Sequence, residues 1–150
     1  MSTTTWDWAT AEPEGGICRL VAVDISGRHE AEGRYLMVCA AVGVELKADA
    51  VNAVESMEFD VLDTEREPTF EVVVDNVSRA VSGVCVDDAT VVAEEGEFYN
   101  RPDWIVEGAL GTEFKYIETI GERKAVDIAH HAAYAARKLT LTDEGKSRTR

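Results

Sequence analysis

The nine residues Ile17–Ile25 (ICRLVAVDI) are β-branched or apolar with almost no polar alternation, the pattern of a strand covered on both faces. A sheet built around such a strand needs a layer on each side, and this condition governs the rest of the chain. A second apolar run, Arg34–Val44 (RYLMVCAAVGV), follows the turn-forming stretch 26–33 with Gly27 and Gly33. The two runs predict an antiparallel hairpin with a long loop.

Further along, Lys47–Val54 is Ala-rich and indefinite, while Met57–Asp63 alternates and predicts a third, more exposed strand. Phe70, Val73, Val74, Val77 and Val81 recur at helical spacing after Pro68, which suits a first helical turn. That periodicity predicts a helix ending at Gly83, despite the β-branched content. A strand at Thr90–Ala93, a short helix at Pro102–Leu110, a brief strand at Glu113–Glu118 and a helix at Glu122–Leu139 complete the pattern. In the last helix Ala125, Ile128, Ala129, Ala132, Ala136 and Leu139 form an apolar stripe of mostly small residues.

The order β-β-β-α-β-α-β-α predicts an α/β fold with a mixed five-stranded sheet, antiparallel in its first hairpin and then parallel, covered by helices. One domain over 17–139 is expected, with residues 1–16 as a disordered leader that Trp6 and Trp8 could tack onto the body. Residues 140–150 read as a flexible tail.

The 29 Asp and Glu against 15 Lys and Arg give a formal charge of −14, yet 45% of residues are hydrophobic. The acidity therefore belongs to the surface of a folded chain, a composition suited to a salt-rich, halophilic cytoplasm. It disfavours electrostatic docking on nucleic acid at low salt, leaving metal bridges, stacking and shape as means of recognition. The apolar surroundings of Cys18, Cys39 and Cys85 read as buried thiols rather than disulfides or a zinc site. No signal segment or run of 18 apolar residues is present, so a cytoplasmic location without membrane contact is expected.

Three constellations could carry chemistry. Asp24, near the end of the apolar first strand, needs compensation if buried: it either ligates a divalent cation such as Mg or Mn or shapes the SGRH turn. Glu94, Glu95 and Glu97 follow the Thr90–Ala93 strand, where one of them can meet Asp24 or all can form a solvated loop. Glu94 is the first choice. Asp127, His130 and His131 share a stretch of the last helix with Arg123 and Tyr134, and one histidine could position or deprotonate water. The loop EFYNRPDW offers Phe98, Tyr99, Arg101 and Trp104 as a protein-contact surface, or as residues folded back into the core. There is no GxxxxGK[ST], GxSxG or HExxH pattern, nor a GxGxxG after a strand.

The segments VAVDISGRH around Asp24, AEEGEFYNRPDW at 93–104 and ERKAVDIAHHAAYAARKL at 122–139 resemble an uncharacterised archaeal family, domain of unknown function 2209, over about residues 17–139. The element order and acid placement resemble the ribonuclease H-like three-layer fold. Resemblance to its nucleases and Holliday-junction resolvases implies metal-binding catalytic acids on the first strand, the fourth strand and the last helix, here Asp24, Glu94 and Asp127. His130 or His131 stands where many of those relatives carry a further Asp. The implied function is a metal-dependent nuclease or phosphodiester-binding protein, with a catalytically inactive interaction module as the alternative.

Overall fold

The computed structural model describes residues 16–84, 86 and 88–149, with side chains in the last helix as far as Asp143. The leader read at 1–16 lies outside the described residues except for Gly16, and so does Cys85. Among the described residues there are five strands, β1 (Ile17–Ser26), β2 (Tyr35–Lys47), β3 (Ala50–Thr64), β4 (Thr90–Ala93) and β5 (Phe114–Tyr116), and three helices, the first of which follows β3. The helices are α1 (Phe70–Ser82), α2 (Asp103–Leu110) and α3 (Ile120–Thr149). The strands lie in the order β3-β2-β1-β4-β5. The β1–β2 and β2–β3 pairs are antiparallel, whereas β1–β4 and β4–β5 are parallel. The mixed five-stranded sheet and α/β class expected from the sequence are thus present.

The period-2 side-chain alternation of β1 explains why its sequence shows no polar face. Val21, Val23 and Ile25 enter a core with α1 and α2, through Val73, Val77 and Val106. Leu20 and Ala22 enter a second core with Ala125, Val126, Ala129 and Ala133 of α3. Both faces of the central strand are dry, and by the same alternation Asp24 falls on the α3 side.

Several boundaries differ from the sequence reading. β3 absorbs the indefinite stretch up to Val54, because Ala48, at φ 55°, turns the chain straight from β2 into β3. Pro68 lies just outside α1, whose N-cap is Thr69: its hydroxyl accepts the Val72 N–H at 3.3 Å. The buried stripe of α3 is rotated towards Val126 and Ala133, leaving Leu139 67% exposed. The helix continues to Thr149 through the segment read as a flexible tail. Cys18 is exposed, whereas Cys39 is buried as expected. Among the described residues no helix is long and apolar enough to cross a membrane.

α3 starts at a reciprocal cap. Thr119 Oγ1 accepts the Glu122 N–H at 3.1 Å, while Glu122 Oε1 accepts the N–H groups of Thr119 and Glu118 at 3.0 and 2.8 Å. Further along α3, Arg137 Nε donates to the Leu36 carbonyl at 2.8 Å, tying the helix to the first hairpin. Together these contacts set the position of α3 above Asp24.

Candidate functional site

β1 and β4 pair only from Leu20–Ala22 to Thr90–Val92. β4 stops at Ala93 while β1 continues to Ser26, so the β4-side hydrogen-bonding groups at the end of β1 need another partner. The loop after β4 supplies one: Glu97 Oε2 accepts the Ile25 N–H at 3.0 Å. This loop holds Gly96, Tyr99 and Asn100 at positive φ (98°, 56° and 58°). Asn100 tolerates this region, but for Tyr99 it is a costly conformation that the surroundings must impose. Phe98, fully buried beside Phe70 and Phe114, is the anchor that imposes it.

Two carboxylates meet at this opening. Asp24 is 6% exposed, and its Oδ2 lies 3.1 Å from His130 Nδ1 on α3. Its Oδ1 has no hydrogen-bond partner among the described residues. Burial pushes the Asp24 carboxyl above its ordinary range, with Glu94 adding to the rise while His130 and Arg28 oppose it. Burial and the neighbouring Asp24 together raise Glu97 to about 8, opposed by Arg28 and the Ile25 N–H. Burial thus leaves each acid short of compensating positive charge, and the Asp24 carboxylate adds to the shortage at Glu97.

Three cationic or ionisable side chains ring the pair. Arg28 Nη1 donates to the Glu97 carbonyl at 2.5 Å and lies 3.7 Å from Glu97 Oε1, with its guanidinium 4.7 Å from the Tyr99 ring centroid. Arg123 Nη1 is 3.4 Å from Glu94 Oε2 at a half-exposed rim. The His130 side chain is 62% exposed, so one edge of its ring holds Asp24 while much of the ring remains open to solvent. Among the described residues no three His, Cys, Asp or Glu side chains form a ready metal-ligand set.

Of the residues singled out in the sequence, Asp24 and His130 are in contact, and Glu94 stands at the rim. Glu97, ranked behind Glu94, is the buried member. Asp127 is exposed one turn before His130 and is not among the charges acting on Asp24. His131 is exposed, its ring edge-on to His130 at 5.5 Å. The sequence pattern presents Arg28 only as part of the SGRH turn; the signal for its role is an Arg directly after the Gly27 bend, beside a buried acid. In the proposed contact loop, Phe98 is core. The Tyr99 hydroxyl donates to the Pro68 carbonyl at 2.7 Å, and the Arg101 guanidinium sits 4.4 Å from the Phe70 ring centroid. Trp104 is 69% exposed and faces solvent.

No solved structure matches the chain. It is 35% identical over 127 residues to the uncharacterized protein MJ0095 of Methanocaldococcus jannaschii, an alignment covering 85% of this chain and 100% of that relative. Residues 21–141 match the family described as an uncharacterized protein conserved in archaea, domain of unknown function 2209. The matched segment contains Asp24, Glu94, Glu97, Asp127 and His130, so the whole candidate site lies within it. The chain belongs to this archaeal family of domain of unknown function 2209.

Proposed function

We propose that the chain is a ribonuclease H-like protein that binds nucleic-acid phosphodiesters, and hydrolyses them, with Mg or Mn held at the carboxyl ends of β1 and β4. The observation that carries this reading is the meeting of Asp24 and Glu97 where the two parallel strands part. The strand order β3-β2-β1-β4-β5, with helices on both faces, supports the ribonuclease H-like architecture.

The donors suit a hard cation. Mg commonly binds through one or two carboxylates, completing its shell with water and substrate phosphate, so a ready three-residue set is not required. The unpartnered Asp24 Oδ1 and the shortage of positive charge at both acids favour such an occupant. A bound divalent cation would supply Lewis-acid stabilisation of charge on the phosphate. Asp24 and Glu97 would hold it, with Glu94 at the rim and Asp127 beside the entrance on α3. Where Asp24 is ionised, His130 Nδ1 donates to it and the other ring nitrogen is left to accept a proton from water. His131 would support the His130 ring, and Arg28 would offset phosphate charge from the floor of the site.

The test is calorimetric titration with Mn in about 2 M KCl, alongside cleavage assays on RNA–DNA hybrid, duplex and branched substrates. Wild type is expected to bind Mn and cleave at least one substrate. Asp24→Asn and Glu97→Gln are expected to lose both activities, and cleavage that persists unchanged in both variants would show the site to be misassigned. A second reading, a catalytically inactive module that contacts a protein partner through the 97–104 loop, is favoured by the exposure of Trp104.

A further inference from the structure

The solvent face of α3 carries charge opposite in sign to the molecule as a whole. Between Arg123 and Lys138 three exposed Lys and Arg side chains, Arg123, Lys124 and Lys138, stand against one carboxylate of the helix, Asp127, and against Glu94, which Arg123 engages, in a chain whose formal charge is −14. Arg123, Asp127, His131, Tyr134 and Lys138 follow one another at spacings of three and four, and all are exposed. They therefore form one line about 22 Å long on the helix surface, with Lys124 at its start and His130 beside its middle.

Rings and cations interleave along this line. The His130 and His131 rings are edge-to-face at 5.5 Å, and Lys138 Nζ lies 5.3 Å from the centroid of Tyr134, which is 52% exposed. Arg137, by contrast, is turned inward to the Leu36 carbonyl. The line passes the acid pair, because Arg123 reaches Glu94 and His130 reaches Asp24.

We infer that this face of α3 is a path for single-stranded nucleic acid, leading a phosphodiester to the site between β1 and β4. The inference deepens the proposed function and rests on it for the destination of the strand. Charge complementarity selects a polyanion: at physiological salt charges interact over about 8 Å, so a bound phosphate responds to this line more than to acids on the far side of the sheet. Exposed rings select single strands, whose bases are free to stack, over duplexes, whose bases face one another. Folding creates this cationic face from a chain whose composition argues against one.

The test is fluorescence anisotropy of a labelled 15-nucleotide oligo-dT and the corresponding duplex, in EDTA, between about 50 and 300 mM KCl. Wild type is expected to prefer the single strand. Tyr134→Ala is expected to weaken binding at least tenfold by removing a stacking surface. The Lys124→Gln/Lys138→Gln pair is expected to lower the slope of log affinity against log salt by about 1.4, since each neutralised phosphate adds about 0.7 to that slope on a single strand. These positions are exposed, so the variants should fold, and unfolding curves matching wild type would confirm it. No binding by wild type, a preference for duplex, or unchanged binding in both variants would overturn the inference. Because EDTA removes divalent cations, failure here leaves the Mn titration of the Asp24–Glu97 site standing, and failure of that titration leaves this measurement standing.

Discussion

Replacing Glu97 with Gln removes one ionisation while keeping an oxygen that can accept the Ile25 N–H. The wild-type carboxyl is raised to about 8 by burial first and then by Asp24, against the opposing effects of Arg28 and the Ile25 N–H, with Glu94 adding to the rise; His130 acts through its contact with Asp24. An unfolded chain releases this proton near the ordinary 4.5. Between those values the folded state holds a proton that the unfolded state has lost, so stability falls as pH rises through the window and levels off above it. At about 1.4 kcal/mol per pKa unit, the ceiling is about 5 kcal/mol, a large part of the total stability of a domain this size.

The assay is urea unfolding of wild type and Glu97→Gln at pH 5 and pH 9, in EDTA and about 1 M KCl to screen the surface acids. The variant is expected to match wild type within about 1 kcal/mol at pH 5, where both side chains are neutral. At pH 9 it should be more stable by about 2 to 5 kcal/mol. Comparing the two proteins isolates Glu97 from the general repulsion of an acidic surface, which both share. A variant less stable than wild type at pH 9 would refute the reasoning, because it would mean that ionised Glu97 is stabilised by Arg28 and the Ile25 N–H more than burial opposes it.

Two further outcomes follow from the packing. A Cβ at Gly27, where φ is +98°, would stand 2.0 Å from the Leu36 carbonyl oxygen and 2.4 Å from Arg137 Nε. Gly27→Ala should therefore cost at least about 2 kcal/mol, lowering the thermal midpoint, and an unchanged midpoint would show that the hairpin yields more easily than its contacts imply. In the loop that carries Glu97, Phe98→Ala should cost about 3 to 5 kcal/mol, whereas Trp104→Ala, at a 69% exposed position, should stay within about 0.5 kcal/mol; equal losses in urea unfolding would contradict the assignment of one to the core and the other to the surface.

The sheet was legible because its central strands have no polar face to hide: continuous apolar runs at 17–25 and 34–44 predict β1 and β2, and Thr90–Ala93 is β4 to the residue. The N-terminal half of β3 was not legible. It is an edge strand whose residues are largely exposed or half-buried, so Ala50–Val54 carries little of the burial signal that pattern reading depends on. The face of α3 was ambiguous for another reason. Alanines at 125, 129, 132, 133, 135 and 136 allow several apolar stripes of similar quality, and packing against Leu20, Ala22 and Val92 selects the one containing Val126 and Ala133.

The choice between Glu94 and Glu97 shows where pattern reading stops at the site itself. Counting from the end of β4 favours Glu94 as the residue adjacent to the strand, and this would hold if β1 and β4 remained paired to their ends. Their pairing covers only three residues of each strand, and the groups left open on β1 require an acceptor. The chain turns at Gly96, buries Phe98 as an anchor and so directs the intervening side chain, Glu97, inward to Ile25. Gly96 and Phe98 flank Glu97 in the sequence and are the local signal for this inversion, but their meaning depends on how early β4 ends. That early end leaves the backbone of β1 to be satisfied by a carboxylate, and satisfying it brings a second acid beside Asp24. The same hydrogen bond that completes the fold at this edge therefore creates the charge imbalance on which the proposed chemistry depends.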